Sequence, residues 1–251
     1  MTRRSREVGT FKSLVLGAAL AAALVVPAQA GDNKIALSAT TAFVTDYLYR
    51  GVTNTSNGPA AQPEFDLTYG MFYAGIWGSN TDFGDGIEID YYAGIAPKWS
   101  LNSASITFDV GGYYYTYPGD NNELDYFELK TGATLAAGAW TLRITNWWSS
   151  DWFQVGGSSD AIEGQLGYAF TGKIFNFFSP TISGGVGFQG FDTFYEDYTY
   201  WNAGLTLAFM EHWSVDARYW DTSLSDTDCI PLSGTHNGCD ARVVGTLKAV
   251  F

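Results

Sequence analysis

Asp240-Ala241-Arg242-Val243-Val244-Gly245-Thr246-Leu247-Lys248-Ala249-Val250-Phe251 is the stretch whose reading decides the fold. Ala241, Val243, Gly245, Leu247, Ala249 and Phe251 alternate with Asp240, Arg242, Val244, Thr246, Lys248 and Val250, so one face is apolar and small and the other is largely polar. Side chains on a strand alternate between two faces, and a strand of this length crosses a bilayer at a tilt. The pattern predicts a strand of a membrane β-barrel, apolar face to lipid and polar face to the lumen. Ending the polypeptide on an aromatic residue, Phe251, it also looks like the C-terminal signal read by the bacterial outer-membrane assembly machinery.

The opposite end agrees. Arg3, Arg4, Arg6 and Lys12 form a basic region, residues 14–26 are apolar and rich in Ala and Leu, and Ala28-Gln29-Ala30 has the small-x-small form of a cleavage site. Residues 1–30 therefore read as a signal peptide for general secretion, and residues 31–251 as the barrel. Beyond residue 30 no run of eighteen apolar residues exists, so no transmembrane helix is expected and the chain must cross by strands.

Without residues 1–30 the chain keeps 9 Lys+Arg against 25 Asp+Glu, a formal charge of −16, which argues against a nucleic-acid partner. The remaining length suits one barrel or sandwich domain. Cys229 and Cys239 lie in a polar segment with Pro231, Gly234 and Gly238, and in an exported protein they are expected to close a disulfide loop.

From Gly31 onward the dominant period is two, in segments of about ten residues separated by Gly, Asp, Asn, Ser and Pro clusters. Ile87, Ile89, Tyr91, Ala93 and Ile95, for example, interleave with Glu88, Asp90, Tyr92 and Gly94. About twelve strands result, over 35–49, 60–69, 71–79, 87–96, 105–117, 124–136, 139–148, 161–170, 180–189, 198–209, 213–221 and 240–251. Short connections at Gly70, at Ala137-Gly138 and over 210–212 are expected as periplasmic turns. Those over 51–59, 82–86, 118–122, 149–160 and 221–239 are expected as extracellular loops. The connection over 171–179 is long and apolar for a periplasmic turn. The fold class is all-β, a closed antiparallel transmembrane barrel following a cleaved signal peptide. A secreted soluble sandwich would also alternate. Aromatics bunched at strand ends, at Tyr47/Tyr49, Tyr113/Tyr115/Tyr117 and Trp147/Trp148, read instead as girdles at a membrane interface.

Several ordered motifs are similar to those of one family. Val44-Thr45-Asp46-Tyr47-Leu48-Tyr49-Arg50-Gly51-Val52-Thr53 resembles the SDYxFRGxS motif of the proteobacterial TorF-type porin family, also called Gcw_chp. Pro59-Ala60-Ala61-Gln62, the run 72–80, the run 87–94 and the run 113–119 follow in the family's order. Thr45 replaces the motif's Ser, and Leu48 stands where the family usually carries Arg. The resemblance implies an outer-membrane barrel of a Gram-negative cell acting as a channel, with undefined solutes and no catalytic residues.

The polar faces collect Asp46, Arg50, Glu64, Asp66, Glu88, Asp90, Asp109, Glu128, Lys130, Arg143, Glu163, Asp216, Arg218, Arg242 and Lys248 as lumen candidates. Charges so numerous cannot face hydrocarbon, where a midplane Lys or Arg costs about 2–4 kcal/mol. Two readings follow. One is a polar pore whose acidic excess favours cations, passing small polar or cationic solutes. The other is a lumen filled by paired acids and bases, giving a structural or surface-interaction barrel. Asp46 and Arg50, read as one face of the first strand, would lie about 13–14 Å apart and pair with neighbouring strands rather than each other. The partners expected are outer-membrane lipid, the assembly machinery through the last strand, and small solutes, with oligomeric state open.

No catalytic site, metal site or cofactor is expected. Only His212, beside a turn, and His236, inside the cysteine loop, could serve an acyl-transfer triad or a histidine metal site, and the topology puts them at opposite ends. Gly185-Val186-Gly187-Phe188-Gln189-Gly190 mimics a dinucleotide fingerprint, yet it lies within strand alternation. Trp147-Trp148 and Trp152-Phe153 read as a girdle and a self-packed loop, with an external sugar platform as the alternative.

Overall fold

A computed structural model describes residues 34–119 and 123–251. The signal peptide expected over 1–30 lies outside the described residues. Twelve strands form the barrel wall: β1 (Ile35–Val44), β2 (Ala60–Tyr69), β3 (Phe72–Asn80), β4 (Ile87–Ile95, continued by Lys98–Leu101), β5 (Ala104–Thr116), β6 (Tyr126–Ala137), β7 (Trp140–Ser149), β8 (Ser159–Ala169), β9 (Ser179–Phe191), β10 (Tyr198–Phe209), β11 (Trp213–Thr222) and β12 (Arg242–Val250). Each pairs antiparallel with its sequence neighbours. Within β4 the register is unbroken, with Ile95 opposite Val110 and Lys98 opposite Thr107. The gap falls at Ala96-Pro97, where proline has no N–H to give the ladder.

The terminal stretch closes the ring. β12 pairs with β11 on one side and with β1 on the other, Thr40 facing Val250 and Val44 facing Thr246. The Phe251 N–H donates to the Ala39 carbonyl at 2.8 Å, and the Ala39 N–H donates to the Phe251 carbonyl at 3.0 Å. A closed wall leaves no strand edge, the condition for spanning hydrocarbon with strands.

Alternation then sorts the wall. On β2, Gln62, Glu64, Asp66 and Thr68 are buried, while Phe65 and Leu67 stand exposed. Phe108, Val110, Leu142, Ile144, Ile162, Leu166, Val186 and Phe188 continue the outer apolar band. Connections divide by end. Tight turns at 70–71, 102–103 and 138–139, with 170–178 and 210–212, occupy one end. The other carries the segments 45–59, 81–86, 117–119, 123–125, 150–158, 192–197 and 223–241. The last of these holds the helix α1 (Asp226–Ser233), capped by Ser225 and ended by Gly234 at φ 71°, and the disulfide Cys229–Cys239.

Two expectations need correction. β1 stops at Val44 instead of running to 49. The chain then turns inward and makes a two-residue hairpin in which Leu48 faces Thr53 and Tyr49 faces Val52. Arg50 (φ 51°) and Gly51 (φ 85°) form its tip. Positive φ at both central residues matches a type I′ turn, which fits the strand twist and favours glycine at the second position. The second correction concerns the girdles. Tyr47, Tyr113, Tyr115, Tyr117 and Trp147 are buried inside the barrel, and Tyr49 packs against the same cluster. Tyr113, Tyr115 and Tyr117 continue the parity of the inward Asp109, and only the intervening Tyr114 faces out, 44% exposed. Trp148 faces out, while its neighbour Trp147 faces in.

Three inward tyrosines, Tyr73, Tyr92 and Tyr200, have a glycine opposite them. Gly187 is paired with Tyr200 in the β9–β10 ladder, and a Cβ on it would stand 2.2 Å from the Tyr200 ring. Gly94, paired with Tyr73, would meet that ring at 2.5 Å. Gly187, the central glycine of the false dinucleotide motif, thus makes room for an aromatic ring, as β9 is a strand through Phe191.

Candidate functional site

The candidate site is the barrel interior at the loop end, where the inserted hairpin meets the wall. Arg50 reaches across the lumen. Its NH2 donates to both oxygens of Glu128 on β6, at 2.9 and 2.8 Å, and its NH1 donates to Gln189 Oε1 on β9 at 2.7 Å. Arg50 is 6% exposed and Glu128 fully buried. Glu128 also accepts from the hydroxyls of Tyr49 (3.2 Å) and Tyr115 (3.0 Å), and the Arg50 guanidinium lies 4.5 Å from the Tyr49 ring centre. A guanidinium bound to both oxygens of a carboxylate and stacked on a ring is held in place and orientation.

The hairpin's base is anchored separately. Asp46 Oδ1 accepts from Thr53 Oγ1 (2.6 Å) and Thr55 Oγ1 (3.2 Å), while its Oδ2 accepts from Arg242 of β12 at 2.7 Å. Arg242 also donates to Asn57 Oδ1 and the Asn237 carbonyl. The Thr53 N–H donates to the Gly238 carbonyl at 2.9 Å, tying the hairpin to the disulfide segment. Asp46 and Arg50 therefore do not share a strand face. The chain leaves the wall after Val44, so Asp46 lies at the base of the inserted hairpin and Arg50 at its tip.

The other sequence candidates lie around the wall. Tyr92 donates to Glu64 (2.9 Å) and Asp66 (2.6 Å), and Lys248 of β12 interacts electrostatically with both acids. Glu88 accepts from Tyr117 at 3.2 Å, leaving its Oε2 and the neighbouring Asp90 Oδ1 buried without a hydrogen-bond partner. Asp109 accepts from Tyr73 and pairs with Lys130, both at 2.7 Å, and Lys130 sits 5.5 and 5.4 Å from the ring centres of Tyr113 and Trp147. Tyr200 donates to Glu163 at 3.1 Å. Arg143 is half-buried in β7, opposite Gln165. Arg218 binds Asp216 through two nitrogens, at 3.2 and 3.1 Å, and donates to Asn202 (2.7 Å) and Ser183 (2.9 Å).

Gln189 and the tyrosine hydroxyls are the functional groups that sequence reading missed. Their signal was strand parity, which puts Gln189 on the inward face of β9 with Gly187, and Tyr115 on that of β5 with Asp109. Aromatic stacking fills the space between the charges: Tyr115 and Tyr126 stack at 4.5 Å with planes 5° apart, and Tyr92 and Tyr113 at 5.0 Å and 14°. Trp152 and Phe153 pack into this cluster, and both also line a cavity at the loop end. His212 stacks on Phe251 at the turn end, and His236 lies in the disulfide segment at the loop end.

The barrel is similar to solved porin structures. The KdgM porin matches with a TM-score of 0.55 at 8% identity, covering 85% of this chain and 99% of that chain. OprD from Pseudomonas aeruginosa matches with a TM-score of 0.44 at 12% identity, covering 86% of this chain and 64% of that one. At such identities the likeness to KdgM concerns the fold. No curated protein matches. Residues 28–251 match the family described as "Bacterial protein of unknown function (Gcw_chp)", and the chain belongs to that family.

Proposed function

We propose that this protein is an outer-membrane, porin-like channel for small polar or cationic solutes, with the hairpin over Leu48–Thr53 as its constriction. The loop end faces the outside of the cell in this reading, and the apolar outer band contacts outer-membrane lipid. The last strand, ending at Phe251, engages the assembly machinery. The observation that carries the reading is the interior charge set on an apolar-jacketed closed wall. Asp46, Glu64, Asp66, Glu88, Asp90, Asp109, Glu128, Glu163 and Asp216 are nine acids, against the six bases Arg50, Lys130, Arg143, Arg218, Arg242 and Lys248. An acid-rich passage draws cations and repels anions.

The buried Arg50–Glu128–Gln189 clasp favours a second reading, a barrel whose lumen stays shut. Planar-bilayer recording of the refolded chain in a salt gradient separates the two. Discrete steps with a cation-favouring reversal potential, weakened by Glu88→Gln or Asp90→Asn, support the channel. Silence in the wild type and in Arg50→Ala alike supports the shut barrel. Anion-favouring steps would remove the charge argument.

A further inference from the structure

A cavity of about 450 Å3 opens at the loop end, above the hairpin, between it and the segments 81–86, 150–158, 192–197 and α1. Its size falls in the range of small-molecule sites. Six aromatic residues line it: Tyr49, Phe83, Trp152, Phe153, Tyr195 and Tyr198. Trp152 meets Phe153 at an interplanar angle of 79° and Tyr195 at 86°, so adjacent walls stand nearly at right angles. Among the described residues that line it, exposed Asp82 is the charged one, and no Lys or Arg joins it.

Charge around the cavity points the same way. Among the described residues, the loop-end segments 45–59, 81–86, 117–119, 123–125, 150–158, 192–197 and 223–241 together carry 12 Asp+Glu and a single Lys+Arg. That one base is Arg50, and it is already bound to Glu128. The potential over this mouth is therefore negative, which concentrates cations there and disfavours anions. The molecule already places a cation on one wall residue, as the Arg50 guanidinium sits over Tyr49.

Aromatic walls at steep angles, one carboxylate and an acidic rim are the chemistry that binds an alkylated ammonium group. The ring quadrupoles attract a diffuse positive charge, and the methyl groups take the apolar contact. We infer that this vestibule is a binding site for a small organic ammonium cation, with Asp82 supplying the counter-charge and Tyr195 and Phe153 supplying ring contacts. The site does not require a conducting lumen. Only the direction of approach, from outside the cell, rests on the proposed orientation. The disulfide Cys229–Cys239 fixes α1, whose Leu232 forms part of one wall.

Choline chloride is the probe, titrated into the refolded full barrel in dodecyl maltoside micelles, which carry no ammonium group. Tryptophan fluorescence is read against sodium chloride of equal ionic strength. Saturable binding is expected, with the neutral isostere 3,3-dimethyl-1-butanol about tenfold weaker. Asp82→Asn should narrow that gap, and Tyr195→Leu should weaken choline. Retention of the heat-modifiable gel shift checks that each variant is folded. Non-saturable binding, equal affinity for choline and the neutral isostere, or choline binding unaltered in both variants would overturn the inference. A barrel that binds choline yet passes no current would remove the channel reading and leave this one standing.

Discussion

Two buried arginines, Arg50 and Arg218, use the same chemistry in opposite ways. Each binds a carboxylate through two contacts and adds a side-chain amide acceptor, Gln189 for Arg50 and Asn202 for Arg218. Their exposures are 6% and 3%. The partners of Arg218 lie on β9, β10 and β11, and the cluster staples strands that are already neighbours. Arg50 comes from a loop, and its partners on β6 and β9 are not adjacent strands. One cluster belongs to the wall. The other is a latch across the lumen, which can be lost without breaking a single inter-strand hydrogen bond.

The largest expected effect separates them directly. Arg218→Ala leaves Asp216 buried without its counter-charge, which costs about 3–5 kcal/mol. That loss should appear as a lower urea midpoint for the barrel in lipid vesicles. Arg50→Ala also strands a carboxylate, yet Glu128 keeps the hydroxyl of Tyr115 on β5, and the hairpin, with Tyr49, can swing away and let water reach it. Its expected result is a nearly unchanged midpoint with a several-fold rise in bilayer conductance. Equal midpoints for the two variants would erase the distinction between latch and wall.

Reduction of Cys229–Cys239 tests how far the latch depends on the outer segment. A loop of ten residues contributes about 2–3 kcal/mol in the chain-entropy model. The bond constrains the segment over 223–241 and, through Thr53 and Gly238, the base of the hairpin. Reduced protein should therefore keep its barrel midpoint while amide hydrogen exchange rises over 48–53 and 226–239. A fall in the global midpoint by the full amount would mean that the loop holds the wall.

What the sequence made legible follows from the physics of each region. Period-two alternation exposes a wall strand because lipid and lumen impose opposite demands on successive residues, and so β4, β7 and β12 could be read with their faces assigned. Arg218 and Asp216 were visible as inward charges for that reason. The hairpin was hidden because Thr45 to Tyr49 alternates well enough to extend β1, although the chain leaves the wall after Val44. The inward tyrosines were hidden by their dual character. An amphipathic ring suits a membrane interface and an aqueous lumen equally, and only parity, set here by Asp109 with Tyr113, separates the two.

The smallest expected effect returns to glycine, once in the latch and once in the wall. Gly51 holds φ 85°, and a Cβ there would stand 2.6 Å from Thr222 Cγ2, so Gly51→Ala combines backbone strain with a clash. Gly187→Ala in β9 instead drives a methyl group into the Tyr200 ring, 2.2 Å away. Each carries a cost of about 1–3 kcal/mol. The costs should fall in different places. For Gly51→Ala the hairpin tip relieves the strain by leaving its seat, withdrawing Arg50 from Glu128, and conductance should rise as in Arg50→Ala without any change of charge. For Gly187→Ala the neighbour is a wall residue fixed by its ladder, so the barrel midpoint should fall by that amount. Tyr200 has one further role, since its Cβ would also lie 3.2 Å from a Cβ on Gly51. Moving the ring in Gly187→Ala therefore disturbs the seat of the latch as well, and the expected signature is a lowered midpoint with a modest conductance gain. A conductance gain in Gly51→Ala that vanished when Arg50 was also replaced would place both residues in one latch. Additive gains would place them in two.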